Sequence, residues 1–190
     1  MNTLNLMATD FDNGRYTKGA LIYGGSVEIA SELGRCFFPS IKVTGDLRAG
    51  CGTSIEVDRD LEAGRSIKAG WGISAGGNIS AGWSIKTGGG LKAGMGIKAG
   101  GDIDTGGDID AGAGLEAGWN IDSGGGIRAG MSIKCKSSLS ALFRIFAGTI
   151  LYRTPTDEEQ TISCGHLAGG MVAYGTLVEV EAANPNQISA

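Results

Sequence analysis

Residues 66–100, SIKAGWGISAGGNISAGWSIKTGGGLKAGMGIKAG, decide the fold, because a branched aliphatic residue returns there at every sixth position. Ile67, Ile73, Ile79, Ile85, Leu91 and Ile97 mark the period, which runs back to Ile55 and on to Ile145, sixteen hexads without a slip. Ile41 and Leu47 form an earlier pair, displaced by a two-residue insertion. Two residues after each aliphatic stands a small one (Ala69, Ala75, Ala81, Thr87), with a polar residue such as Lys68, Ser74, Lys86 or Asp104 between them. In-out-in over three residues is strand alternation, since successive side chains leave opposite faces. A helical period near 3.6 fits a repeat of six poorly. The third position is Gly in every hexad from Gly64 to Gly130, and a three-residue strand that must turn there predicts a glycine corner with positive φ. Each hexad is then a short strand plus a corner, and stacked units bury an Ile/Ala core that none could bury alone. The sequence therefore predicts an all-β chain forming a single β-solenoid.

The fourth position alternates between bulky and tiny: Trp71, Gly77, Trp83, Gly89, Met95, Gly101, Gly107, Ala113, Trp119, Gly125, Met131. Large members lie twelve apart, and Phe143 extends them. That spacing predicts a twelve-residue coil with two strands per turn and a stack of large side chains along one edge. About eight such coils at ~4.8 Å each give a rod roughly 40 Å long. The alternative is an eighteen-residue triangular coil, which scatters the Trp and Met residues over three corners. Residues 1–40 and 149–190 are expected to be caps around repeats at 41–148, because a solenoid presents an unpaired edge at each end. The carboxyl-terminal cap is expected to be a small antiparallel sheet, with a helical turn after Thr154-Pro155 and a frayed tail, NPNQISA.

Composition agrees with a packed core. The chain has 190 residues, 35 Gly against 3 Pro, and 42% hydrophobic residues, which excludes collagen-like and disordered classes. A net charge of −4 gives no global drive towards nucleic acid or an anionic membrane. The start, MNTLNLMATDFDNGR, lacks the pattern of a signal peptide, and no apolar run approaches the roughly 20 residues of a membrane helix. Cys36, Cys51, Cys135 and Cys164 are scattered without a CxxC pair. Reduced thiols and a cytoplasmic location are expected.

The hexads SIKAGW, GISAGG and NISAGW resemble the hexapeptide-type β-solenoids in general form. They depart from the acyltransferase branch of that group, which places the small residue four after the aliphatic and acts through a histidine near the coils. Here that position holds Trp, Met or Gly, and the one histidine, His166, lies in the carboxyl-terminal flank. Segments GDLRAG (45–50) and RDLEAG (59–64) are loosely similar to bactofilin-type polymer-forming solenoids. The AGW/AGG arrays look like those of uncharacterised phage and mobile-element proteins, some of which block host defence complexes. That resemblance implies an anti-CRISPR-like inhibitor; the bactofilin resemblance implies a self-assembling structural protein.

Candidate chemistry is sparse. Cys164 and His166 share one face of an SCGH strand, but no third group that would orient the imidazole is identifiable. Asp102, Asp104, Asp108 and Asp110 form an acidic stretch in GGDIDTGGDIDAG; calcium-binding β-rolls use such aspartates, but at a nine-residue period. Charge is banded: residues 61–100 sum to +4, 101–125 to −6 and 126–144 to +4. Bands suit a partner of complementary charge, and the −6 band interrupts any continuous phosphate track. The expected function is non-enzymatic binding of a protein or nucleoprotein, with no cofactor and no metal. Self-association is a further expectation; membrane attachment and direct nucleic-acid binding are not expected. The expected contact residues are Trp71, Trp83, Met95, Trp119 and Met131 on the edge, and Asp102, Asp104, Asp108 and Asp110 in the band.

Overall fold

The computed structural model describes residues 2–180. Three-residue strands such as Ile67–Ala69, Ile73–Ala75 and Ile79–Ala81 follow one another around a triangular coil. Each belongs to a different parallel sheet, so the chain winds a solenoid with three faces of nine, ten and nine strands. The first face contains Ile67–Ala69, the second Ile73–Ala75 and the third Ile79–Ala81. At ~4.8 Å per layer, nine layers make a rod roughly 40 Å long.

The coil is eighteen residues, not twelve. Ile67 pairs with Ile85 and Ile85 with Ile103, in register, and the other faces repeat the same step. Three inward aliphatic residues per coil converge on the axis, and Ile67, Ile79, Ile85 and Ile103 are wholly buried. Two strands per turn would oppose only two such residues. Earlier coils are longer: Ile41 pairs with Leu61 and Leu21 with Ile41, a twenty-residue step that absorbs the insertion seen in the sequence.

Positive φ is not what the repeat glycines supply. Positive φ occurs at Gly14, Gly19, Gly34, Gly52, Gly148, Gly170 and Gly175, and at none of the glycines from Gly64 to Gly130. Their requirement is close approach. A Cβ on Gly100 would fall within 3.0 Å of the carbonyl oxygen of Gly82 in the coil below, and Gly82 stands in the same relation to Gly64.

Parallel ladders also extend through the segments expected to be caps. Thr3–Leu6 pairs with Ser26–Ile29 and Leu21–Tyr23 with Ile41–Val43, all parallel. The one antiparallel pair described is a hairpin, Phe11–Asp12 with Arg15–Tyr16. It closes the amino-terminal end with Phe11, Tyr16 and Phe38, whose ring centroids lie 5.3–5.8 Å apart. At the other end the described residues form no antiparallel sheet: Thr161–Cys164, His166–Leu167, Met171–Tyr174 and Thr176–Glu179 continue the three parallel ladders, not the small antiparallel sheet expected. The inward residues Ile162, Leu167, Val172 and Leu177 return every five positions instead of six, a fifteen-residue step from Ile162 to Leu177, and still meet the inward positions of the preceding strands, so the ladder propagates. After Thr154-Pro155 there is one turn, closed by Gln160 N–H donating to Thr156 O at 3.1 Å. The NPNQISA segment lies outside the described residues. No described helix is long and apolar enough to cross a membrane.

Candidate functional site

An eighteen-residue coil separates the large residues that a twelve-residue coil would stack. Trp71 and Phe143 share one corner, Trp83 and Trp119 a second, and Met95 and Met131 a third. The expected continuous edge does not exist. At the second corner Gly101 lies between Trp83 and Trp119, giving bulky over tiny over bulky, and the Arg65 guanidinium lies 4.4 Å from the Trp83 ring centroid. Trp71, Trp83 and Trp119 are each more than half exposed.

The four aspartates also separate. Asp102 belongs to a corner ladder that stitches coil to coil: its Oδ1 accepts from Asn120 N–H and Nδ2, both at 3.0 Å, and Asn120 Oδ1 accepts from Ser138 N–H at 3.0 Å. Asp108 does the same at another corner, its Oδ1 accepting from Gly126 N–H at 2.7 Å. Asp104 faces outward on the first face beside Lys86, whose ammonium it holds above its ordinary pKa through their hydrogen bond. Asp110 is on the second face, 3.9 Å from Lys92, and Glu116 on the third, 3.1 Å from Lys98. Much of the charge banding is therefore ion pairing one coil apart: the basic band lies under the acidic one on all three faces.

What the structure does bring together lies on the second face. Two adjoining depressions, of about 650 and 450 Å³, share Asp108 and Asp110. One ends at Trp71 and the other at Phe143, Phe146 and Met171. Trp71 and Phe143 occupy the same corner four coils apart, ~19 Å. Between them that corner carries Gly89, Gly107 and Gly125, and the side chain that stands in the span is Asp108, folded against the backbone of Gly125 and Gly126. Lys92, Asp110 and Arg128 project from successive strands along the trough, and Arg144 stands beside Phe143. Of the residues expected from sequence, Trp71, Asp108 and Asp110 meet here. Trp83, Met95, Trp119, Met131, Asp102 and Asp104 do not line it. Lys92, Arg128, Arg144, Phe146 and Met171 were missed. An eighteen-residue alignment of the hexads would have placed the first three beside Asp110 and Phe143.

Cys164 and His166 do not form a reactive pair. Cys164 is buried in the ladder and burial raises its thiol pKa, with the Glu179 carboxylate adding to the effect. His166 is exposed, with Nδ1 3.5 Å from Glu179 Oε1. Among the described residues no three His, Cys, Asp or Glu side chains gather as metal ligands. All four cysteines are free thiols. Comparison of the chain with protein-family models, with curated proteins and with solved structures finds no match in any of the three.

Proposed function

We propose that the chain is a non-enzymatic binding protein that receives an extended segment of a protein partner in the second-face trough. The observation that supports this is the trough itself: an aromatic side chain at each end, a glycine-lined corner between, and alternating charge beside it. A span of ~19 Å accommodates about six residues of extended chain at ~3.3 Å each. Exposed aromatic anchors on a rigid frame are the usual carriers of binding energy. Lys92, Asp110 and Arg128 would fix register through charge complementarity. The narrower reading, an inhibitor of a host defence complex encoded by a mobile element, has only the likeness of the AGW/AGG arrays behind it.

The test is affinity capture from a host lysate with the wild type, with Trp71→Ala plus Phe143→Ala, and with Trp83→Ala plus Trp119→Ala. Each pair is matched for folding by circular dichroism. Loss of the captured protein with the first pair and retention with the second is expected. Equal capture by all three removes the trough from the site.

A further inference from the structure

The two ends of the rod differ. At the amino-terminal end the inward residues Leu6, Leu21 and Tyr16 are buried under the hairpin and first strands. At the carboxyl-terminal end nothing described covers the last coil. The inward Leu177 is 36% exposed, and Leu167 and Val172 are only partly buried. Every residue of Thr176–Glu179 is exposed, whereas strands such as Ile67–Ala69, Ile97–Ala99 and Leu115–Ala117 bury both inward positions.

The backbone of that last strand has a definite polarity. Thr176 N–H donates to Gln160 O and Val180 N–H to Cys164 O, both at 2.8 Å. By strand alternation the N–H and C=O groups of Leu177 and Glu179 point away from the rod, with no described coil to receive them. A two-fold axis through Val178 would set Leu177 opposite Glu179 of a second copy, and Glu179 opposite its Leu177. Both are hydrogen-bonded pairs of an antiparallel ladder, so the four outward N–H groups and their four carbonyls would be satisfied. Val178 would then face its own counterpart as a non-hydrogen-bonded pair, the closer of the two spacings.

We infer that Thr176–Glu179 pairs with the same strand of a second copy, joining two rods by their carboxyl-terminal ends into a closed dimer. The contact is isologous, which a single self-complementary strand allows, and the closed amino-terminal ends stop it from propagating. An exposed strand edge is a ready template for pairing with another chain. Apolar side chains accompany this one: Leu177, Val178 and Val180 are 36–55% exposed on and beside the last strand, and the pairing would set them against their counterparts. The Glu179 carboxylate is already turned inward, accepting from Leu167 N–H at 2.7 Å, so the strand's outward backbone stays clear of it.

Light scattering on the full chain from 1 to 100 µM, roughly a physiological to a concentrated range on the affinity scale, should give twice the 19.3 kDa chain mass. Leu177→Pro and Glu179→Pro each remove an outward donor without touching the Thr176 and Val180 bonds. Either should weaken dimerisation at least tenfold while circular dichroism stays unchanged. In a Cys51→Ser background, Val178→Cys should cross-link copies under mild oxidation. Ile22→Cys, equally outward at the opposite end, should not. A monomer throughout, a dimer that neither proline weakens, or growth into open-ended assemblies would overturn the inference. So would a monomer that dimerises only after residues 181–190 are removed, which would make that segment the occupant of the edge.

Discussion

Gly100→Ala separates two accounts of the repeat glycines because they predict opposite signs. Gly100 lies outside the positive-φ region, so its backbone suits any residue. If glycine served only to ease a corner, alanine would restrict the unfolded chain and stabilise the fold by about 0.4–1 kcal/mol. The stacked coil says otherwise. The new Cβ would sit within 3.0 Å of Gly82 O, and that oxygen belongs to backbone that cannot rotate away. Relief requires the two layers to part near the Gly100 N–H to Ala81 O bond, 3.0 Å long. Losing that bond costs about 0.5–1.5 kcal/mol, and overpacking typically adds about 1–3 kcal/mol. The expected destabilisation is therefore about 2–4 kcal/mol. At about 2–4 °C per kcal/mol for a chain of this size, the melting temperature should fall by about 5–15 °C. Gly114→Ala is the matched control: its Cβ would meet Ser132 O at 3.6 Å, an ordinary contact, and its φ is also not positive. Thermal and urea unfolding followed by circular dichroism would read both. A Gly100→Ala protein as stable as wild type, or more stable, would refute the close-approach reasoning.

Ile103→Ala, at a fully buried site facing the axis, should cost about 2–5 kcal/mol in urea unfolding. Asn120→Ala removes the acceptor of Ser138 N–H and the Nδ2 donor to Asp102, while the backbone N–H donor stays, and should cost about 1–2 kcal/mol by the same measurement. Reaction with Ellman's reagent at pH 8 should show one fast thiol, Cys51, and four after denaturation. Burial pushes the Cys36 thiol up to about 11 and the Cys135 thiol up to about 12, from an ordinary 9.0. The unfolded chain therefore loses these protons first, so stability should be flat below about pH 8 and fall between pH 9 and 11. Equilibrium unfolding at pH 7, 9 and 10.5 would show it, and Cys36→Ala plus Cys135→Ala should flatten the alkaline limb.

The hexad was legible because one aliphatic and one small residue per strand are what a half-buried three-residue strand requires, and Ile55 to Ile145 repeat both. Coil length was harder to read, because a six-residue unit is compatible with any number of strands per turn. The spacing of large residues pointed to twelve only if like stacks on like. The structure stacks unlike on unlike: Trp83 is followed on its corner by Gly101 and then Trp119. Other signals in the sequence do carry the true period. Lys86 precedes Asp104, Lys92 precedes Asp110 and Lys98 precedes Glu116, each by eighteen residues and each an ion pair. Thr87, Thr105 and Ser123 share that spacing too, and their buried hydroxyls donate to carbonyls at one corner, including Gly89 O and Gly107 O. Periodicity of hydrophobic residues fixed the strand, whereas polar complementarity between layers fixed the coil.

The same two periods explain where the trough comes from. Large residues every twelve positions on an eighteen-residue coil return to a given corner every second layer. Trp83–Gly101–Trp119 and Met95–Ala113–Met131 obey that rule on two corners. On the third the rule calls for large residues at 71, 107 and 143, and position 107 is glycine. A Cβ on Gly107 would approach Gly90 N at 2.9 Å, so the backbone there has closed up against the coil below. Three successive glycines, Gly89, Gly107 and Gly125, then leave no large side chain at that corner between Trp71 and Phe143, with the Asp108 carboxylate folded against Gly126 N–H. One departure from an otherwise strict alternation thus removes a large side chain from the middle of that corner, beside Asp108 and Asp110. Under the proposed function, the position where the alternation calls for a large side chain is the position at which the partner segment would lie.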